Sequence, residues 1–183
     1  MKKLKIFYPK KTISFHGTTL VLLILVALIS VIHLSKKIFP ENFENLDLLN
    51  VLMIVVTFIY FIFYLIYTNL FRYEIENGTY SGYLIIENDK IICDKKTFLI
   101  NDIQKISIEN YYYCGKQNGN ISALLPKKSN GLKNYIEISY KNQIDKYYFL
   151  QTKNENIRMF TDELKSYYEK GLIGKQNFEN IKN

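Results

Sequence analysis

Ile13–Leu34 reads ISFHGTTLVLLILVALISVIHL, twenty-two residues with no charged side chain. A helix needs about 20 apolar residues to cross the hydrocarbon core of a bilayer. After a short connector comes a second run, Leu48–Phe71 (LLNVLMIVVTFIYFIFYLIYTNLF), 24 residues long and again uncharged. A surface helix of a soluble protein carries a polar stripe, and neither run has one. Both are therefore read as transmembrane helices. A cleaved signal peptide does not fit the first run, which is too long, lacks a small-residue cleavage site and is followed at once by a second span. It reads as an uncleaved signal anchor.

Working outward, charge sets the expected orientation. Residues 1–12 hold Lys2, Lys3, Lys5, Lys10 and Lys11 with no acidic residue. The connector 35–47 (SKKIFPENFENLD) sets Lys36 and Lys37 against Glu41, Glu44 and Asp47. Lysine-rich flanks stay in the cytoplasm. The expected layout is thus a basic cytoplasmic head over 1–12, spans over 13–34 and 48–71, an extracytoplasmic connector over 35–47, and everything from Tyr73 onward inside. The net charge of +7 raises nucleic acid as a partner. From Tyr73 onward, however, basic and acidic residues nearly balance, so the excess is juxtamembrane and nucleic acid is set aside. The mean hydropathy of −0.07 averages two unlike halves.

So short a connector, containing Pro40, implies an antiparallel helical hairpin. Setting Leu34 opposite Leu48 brings Tyr64 level with Thr18 and Thr19, and Tyr67 near His16. Tyr60, Tyr64 and Tyr67 share one helical face. That face is expected to pack on the first helix, with Thr or His as hydroxyl partners in place of lipid. An aromatic belt at the interface is the other reading for Tyr64 and Tyr67. His16 and His33 are the ionisable residues within the spans, each near an end.

After Arg72 the pattern changes to short β-like runs divided by turn residues. Tyr80–Glu87 passes through Asn88-Asp89 into Lys90–Cys93. Phe98–Ile100 and Ile103–Tyr113 follow. Tyr135–Tyr140 turns at Lys141-Asn142-Gln143 into Lys146–Gln151. Asn154–Lys170 then spaces Ile157, Phe160, Leu164 and Tyr167 as an amphipathic helix, with Asn154 as expected N-cap and Lys170-Gly171 as its end. The soluble part, 73–171, is thus an α+β domain: a small β-barrel or sandwich capped by a C-terminal helix. Residues 172–183 read as a frayed polar tail. Cys93 and Cys114 suit one disulfide or two thiols, and a cytoplasmic placement favours thiols.

Gly82-Tyr-Leu-Ile-Ile-Glu-Asn-Asp-Lys-Ile-Ile, followed by Phe98-Leu-Ile-Asn-Asp-Ile-Gln-Lys-Ile, resembles the opening of bacterial pleckstrin-homology-like (PH-like) domains. Strands closed by one C-terminal amphipathic helix follow the same element order. The resemblance covers roughly Gly82 to Lys170 and rests on pattern, without a catalytic signature. It implies a helix-capped barrel on a bacterial plasma-membrane protein, used for binding or homo-oligomer assembly.

The least regular stretch is 115–133 (GKQNGNISALLPKKSNGLK), with Lys116, Lys127, Lys128 and Lys133 and no acidic residue. Long loops in compact domains are functional or disordered. Two readings stand: a solvated hairpin loop, or a surface touching anionic lipid headgroups, each lysine adding about 1 kcal/mol. Leu124 and Leu125 suit an interfacial dip. No metal spacing, dinucleotide glycine motif or catalytic constellation is visible, no cofactor is implied, and the soluble part has no histidine to serve as base or ligand. Two functions follow. One is a membrane-anchored binding or scaffolding module that organises a protein or lipid at the cytoplasmic face. The other is an accessory or regulatory subunit whose specificity lies in the transmembrane hairpin. Exchanging both spans for an unrelated hairpin separates them.

Overall fold

Lys3-Leu4-Lys5-Ile6 alternates charged and apolar residues with the period of a strand. In the computed structural model, which describes residues 2–11, 17–38, 47–75, 77–119 and 125–182, Leu4–Pro9 forms strand β1. Six more strands follow: β2 (Gly78–Ile86), β3 (Lys90–Cys93), β4 (Lys96–Leu99), β5 (Ile103–Glu109), β6 (Asn134–Tyr140) and β7 (Gln143–Phe149). They form one antiparallel sheet in the order β4-β3-β2-β1-β7-β6-β5. β1 lies in its middle, with Leu4 opposite Leu84 and Ile6 opposite Phe149. The segment expected to be a free basic head is therefore the central strand. Burial explains why: Leu4, Ile6 and Phe7 are inside while Lys3 and Lys5 stay in solvent.

The two edges of this sheet, β4 and β5, are joined only by the 3₁₀ turn Ile100–Asp102. Laid flat, seven strands at about 4.8 Å spacing would hold their edges nearly 30 Å apart. Leu99 to Ile103 reaches about 14 Å at most. The sheet is therefore rolled, with its opening between β4 and β5. Lys141 and Asn142, both with positive φ (48° and 63°), make the tight β6–β7 turn that suits strand twist.

The core runs between the sheet and the C-terminal helices. Ile157–Phe160 forms a 3₁₀ turn whose N-cap is Asn156, accepting from the Arg158 N–H at 3.0 Å, and not Asn154. It leads into α3 (Thr161–Glu169), and Gly171 at φ 76° ends the helix. Phe160, Leu164 and Tyr167 are buried in the same cluster as Leu84, Ile91, Phe98 and Ile136. The Tyr167 hydroxyl donates to the carbonyls of Glu87 and Lys90 beyond it.

The tail is a structural element in its own right. Lys175–Lys182 forms α4, with Phe178 and Ile181 buried. Leading into it, the Leu172 carbonyl accepts from Ile106 N–H (2.8 Å), and Asn177 grips both backbone groups of Ile108 (2.9 and 2.7 Å). The open edge of β5 is thus covered, one of the ways sheets avoid edge pairing. The frayed tail expected from polar composition does not occur because Ile173, Phe178 and Ile181 have core to fill.

The other compact unit holds the apolar helices, α1 (Gly17–Ile38) and α2 (Asp47–Leu70), both long and apolar enough to cross a membrane. The described part of α1 runs past the apolar run, to Ile38. Its last turn takes in Lys36 and Lys37, cations that complement a helix C-terminus. The pair is inserted within the sheet's own chain path. Pro9 faces Gly78, and Lys10 N–H donates to Asn77 O at 2.9 Å, so the chain leaves β1 and re-enters β2 at one point.

Candidate functional site

Two places concentrate polar chemistry. The first is a cleft of about 560 Å³ in the sheet domain, lined by Glu109, Asn110, Tyr111, Tyr113, Lys116, Arg158 and Asn180. A smaller hollow adjoins it, sharing Asn110, Tyr113 and Arg158 and adding Lys153 and Asn156.

Its wall is held by two buried amides. Past Glu109 the chain leaves the ladder, so the strand expected through Tyr113 stops early and the backbone of 110–114 needs other partners. Asn134 supplies several: its Nδ2 donates to Tyr112 O (2.5 Å) and Gly131 O (2.8 Å), and its Oδ1 accepts from Tyr112 N–H (2.9 Å). Gln151 Nε2 donates to Asn110 O (3.0 Å) and Tyr112 O (3.3 Å), while its Oε1 accepts from Ile157 N–H (2.9 Å). Cys114 N–H donates to Gln151 O, and Gln151 N–H to Gly131 O. Gly131 sits at φ 79°, where an added Cβ would strike the Gln151 carbonyl. Asn134 and Gln151 are almost wholly buried. Asn134→Ala removes three hydrogen bonds and leaves the buried loop's Tyr112 N–H without its acceptor, so we expect a loss of about 2–3 kcal/mol, read as a lower urea midpoint at unchanged slope.

With the backbone held, the side chains form a cationic aromatic surface. Lys116 Nζ lies 3.1 Å from the Tyr111 ring centre and donates to the Tyr111 carbonyl (2.8 Å), with Tyr113 flanking. Arg158 reaches the cleft from the turn before α3. Such an arrangement takes anionic or π-bearing groups.

Of the four lysines expected to bind, Lys116 lines the cleft. Lys133 stands over Tyr112 (5.4 Å), and Lys128 pairs with Gln117 across the loop base, where Gly115 N–H also donates to Ser129 O. Lys127 is half-buried and does not line the cleft. Leu125 is exposed, and Leu124 lies outside the described residues. Arg158, Lys153 and the amides arrive from distant segments, with no local sequence signal.

The second place is the polar face of the helical hairpin. Tyr60 donates to Thr18 O (3.1 Å), and the hydroxyls of Tyr64 and Thr19 are 3.2 Å apart. The structure thus brings four of the expected packing residues together, with α1 and α2 antiparallel. Tyr67 is 39 % exposed and stacks on Phe71; His16 lies outside the described residues. Arg72, only 7 % exposed, completes the cluster. Its Nη1 donates to Thr18, Tyr64 and Thr68 (3.3–3.5 Å) and its Nη2 to Thr19 (3.2 Å). Sequence reasoning missed Arg72 and Thr68, although 60, 64, 68 and 72 fall on one face at steps of four.

Cys93 and Cys114 are free thiols. Burial pushes the Cys93 thiol well up, which keeps it protonated and unreactive. Among the described residues no cluster of three metal-ligating side chains occurs. No family model matches the chain, and no curated protein or solved structure matches it.

Proposed function

We propose that this protein is a membrane-anchored binding module that presents a PH-like domain to an anionic partner at the cytoplasmic membrane face. The observation that carries this reading is the insertion of the helical hairpin between two hydrogen-bonded strands. With Pro9 facing Gly78, both flanks of the hairpin belong on one side of any membrane the helices cross. The sheet supports an even number of spans, independently of the lysine count. A rolled antiparallel meander, open between β4 and β5 and capped by α3, supports the PH-like resemblance.

The partner is expected in the cleft of Tyr111, Tyr113, Lys116 and Arg158, because a lysine and an arginine lining one cleft suit an anionic ligand. A photo-crosslinking residue at Tyr113 in the full chain, irradiated in native membranes, tests this. A discrete adduct lost on Lys116→Glu with Arg158→Glu is the expected result. No adduct, or one indifferent to the charge reversal, would contradict the reading.

A further inference from the structure

We propose that Arg72 and the first turn of α1 form a binding site for a phosphate group, carried by an anionic phospholipid at the foot of the hairpin. The site differs from the cleft and rests on reading the helices as membrane spans.

Charge at Arg72 is unbalanced. The Arg72 guanidinium is more than nine-tenths buried, and its four partners are neutral hydroxyls. Hydroxyls satisfy hydrogen bonds without cancelling charge, and a desolvated cation without a counter-charge costs several kcal/mol. Among the described residues no carboxylate forms an ion pair with Arg72. Its Nε is buried and has no acceptor.

Thr18 and Thr19, which hold the guanidinium, stand in the first turn of α1. No acidic residue occupies that turn. The carbonyl end of α2, just before Arg72, carries only a partial negative charge and offsets the guanidinium in part. An anion is the missing component.

The donor set specifies its kind. A planar guanidinium set among hydroxyls suits a tetrahedral oxyanion. The Thr18 and Thr68 hydroxyls accept from Arg72, and a hydroxyl that accepts still has its own hydrogen to give. Arg72 lies two residues past the end of α2, at headgroup level for a spanning helix. Phosphodiester is the abundant anion at that depth.

The test uses the full chain in uncharged detergent, given phosphatidylglycerol or phosphatidylcholine, with bound lipid counted by native mass spectrometry. Wild type should retain phosphatidylglycerol in preference to phosphatidylcholine. Arg72→Gln should retain about tenfold less, the loss that follows from removing a charged hydrogen-bonding group. Thr18→Val with Thr68→Val keeps the charge and should weaken retention too; it carries the test if Arg72→Gln misfolds by circular dichroism. Equal retention by wild type and the variants overturns the site. Displacement of the lipid by millimolar inorganic phosphate overturns the lipid as source and assigns the site to free phosphate. Release of wild type from membranes by alkaline carbonate is a separate result, one that refutes the anchor.

Discussion

Deleting residues 1–11 should abolish the cooperative unfolding of the sheet domain, although these residues look like a dispensable basic leader. Leu4, Ile6 and Phe7 are buried, and each contributes about 1.5–3 kcal/mol through burial. β1 also bonds to β2 on one side and β7 on the other, with Leu150 N–H donating to Lys5 O (2.9 Å). Losing both ladders and three core side chains approaches the whole 5–15 kcal/mol stability of an ordinary domain. A fragment beginning at Tyr73 lacks β1 and fails in the same way. The converse is equally specific. Replacing residues 11–76 by a short glycine-containing turn closes a gap already bridged by Lys10 N–H and Asn77 O. That chain should be water-soluble and show one sharp thermal transition. A folded 73–183 fragment, or an unfolded closed variant, would contradict the central position of β1.

Truncation after Gly171 should be nearly as damaging. It removes Ile173, Phe178 and Ile181, each 5 % exposed or less, for a loss of about 5–8 kcal/mol. It also bares the β5 edge at Ile106 and Ile108, now covered by Leu172 O and Asn177. Exposed apolar edges pair with other chains. The expected outcome is a much lower melting temperature together with concentration-dependent association by light scattering. Phe178→Ala alone, which spares the edge, should lower stability without association.

Both predictions concern segments that sequence reading placed outside the domain, and the reason is the same in each. Leu4 and Ile6 do alternate with lysines, but six residues beside a long apolar run carry a stronger topological signal than a strand signal. The tail has only Leu172, Ile173, Phe178 and Ile181 among polar neighbours, and nothing local tells that β5 needs a cover. What was legible had dense local periodicity: the two apolar helices, the β2–β3 and β6–β7 hairpins, and the helical spacing of Phe160, Leu164 and Tyr167. The hairpin's Tyr60, Tyr64, Thr18 and Thr19 were legible from register alone. Arg72 stands where the sequence pattern changes, so local reading sees a boundary there and not a partner for Thr18 and Thr19. In the sheet domain, Lys116 was visible as one of a basic loop. Its neighbours Asn110 and Arg158 come from different segments, and the amide clamps of Asn134 and Gln151 are tertiary facts.

The helices are proposed as an anchor inserted in the sheet's chain path, with both flanks on the cytoplasmic side. Single cysteines placed at Lys3, Asn42 and Lys153, with Cys93 and Cys114 replaced by serine, test it by labelling intact cells with an impermeant maleimide. Labelling at 42 alone, with 3 and 153 reacting only after permeabilisation, is the predicted result. Labelling of 3 or 153 but not the other in intact cells would contradict it, since β1 and β2 could not then pair.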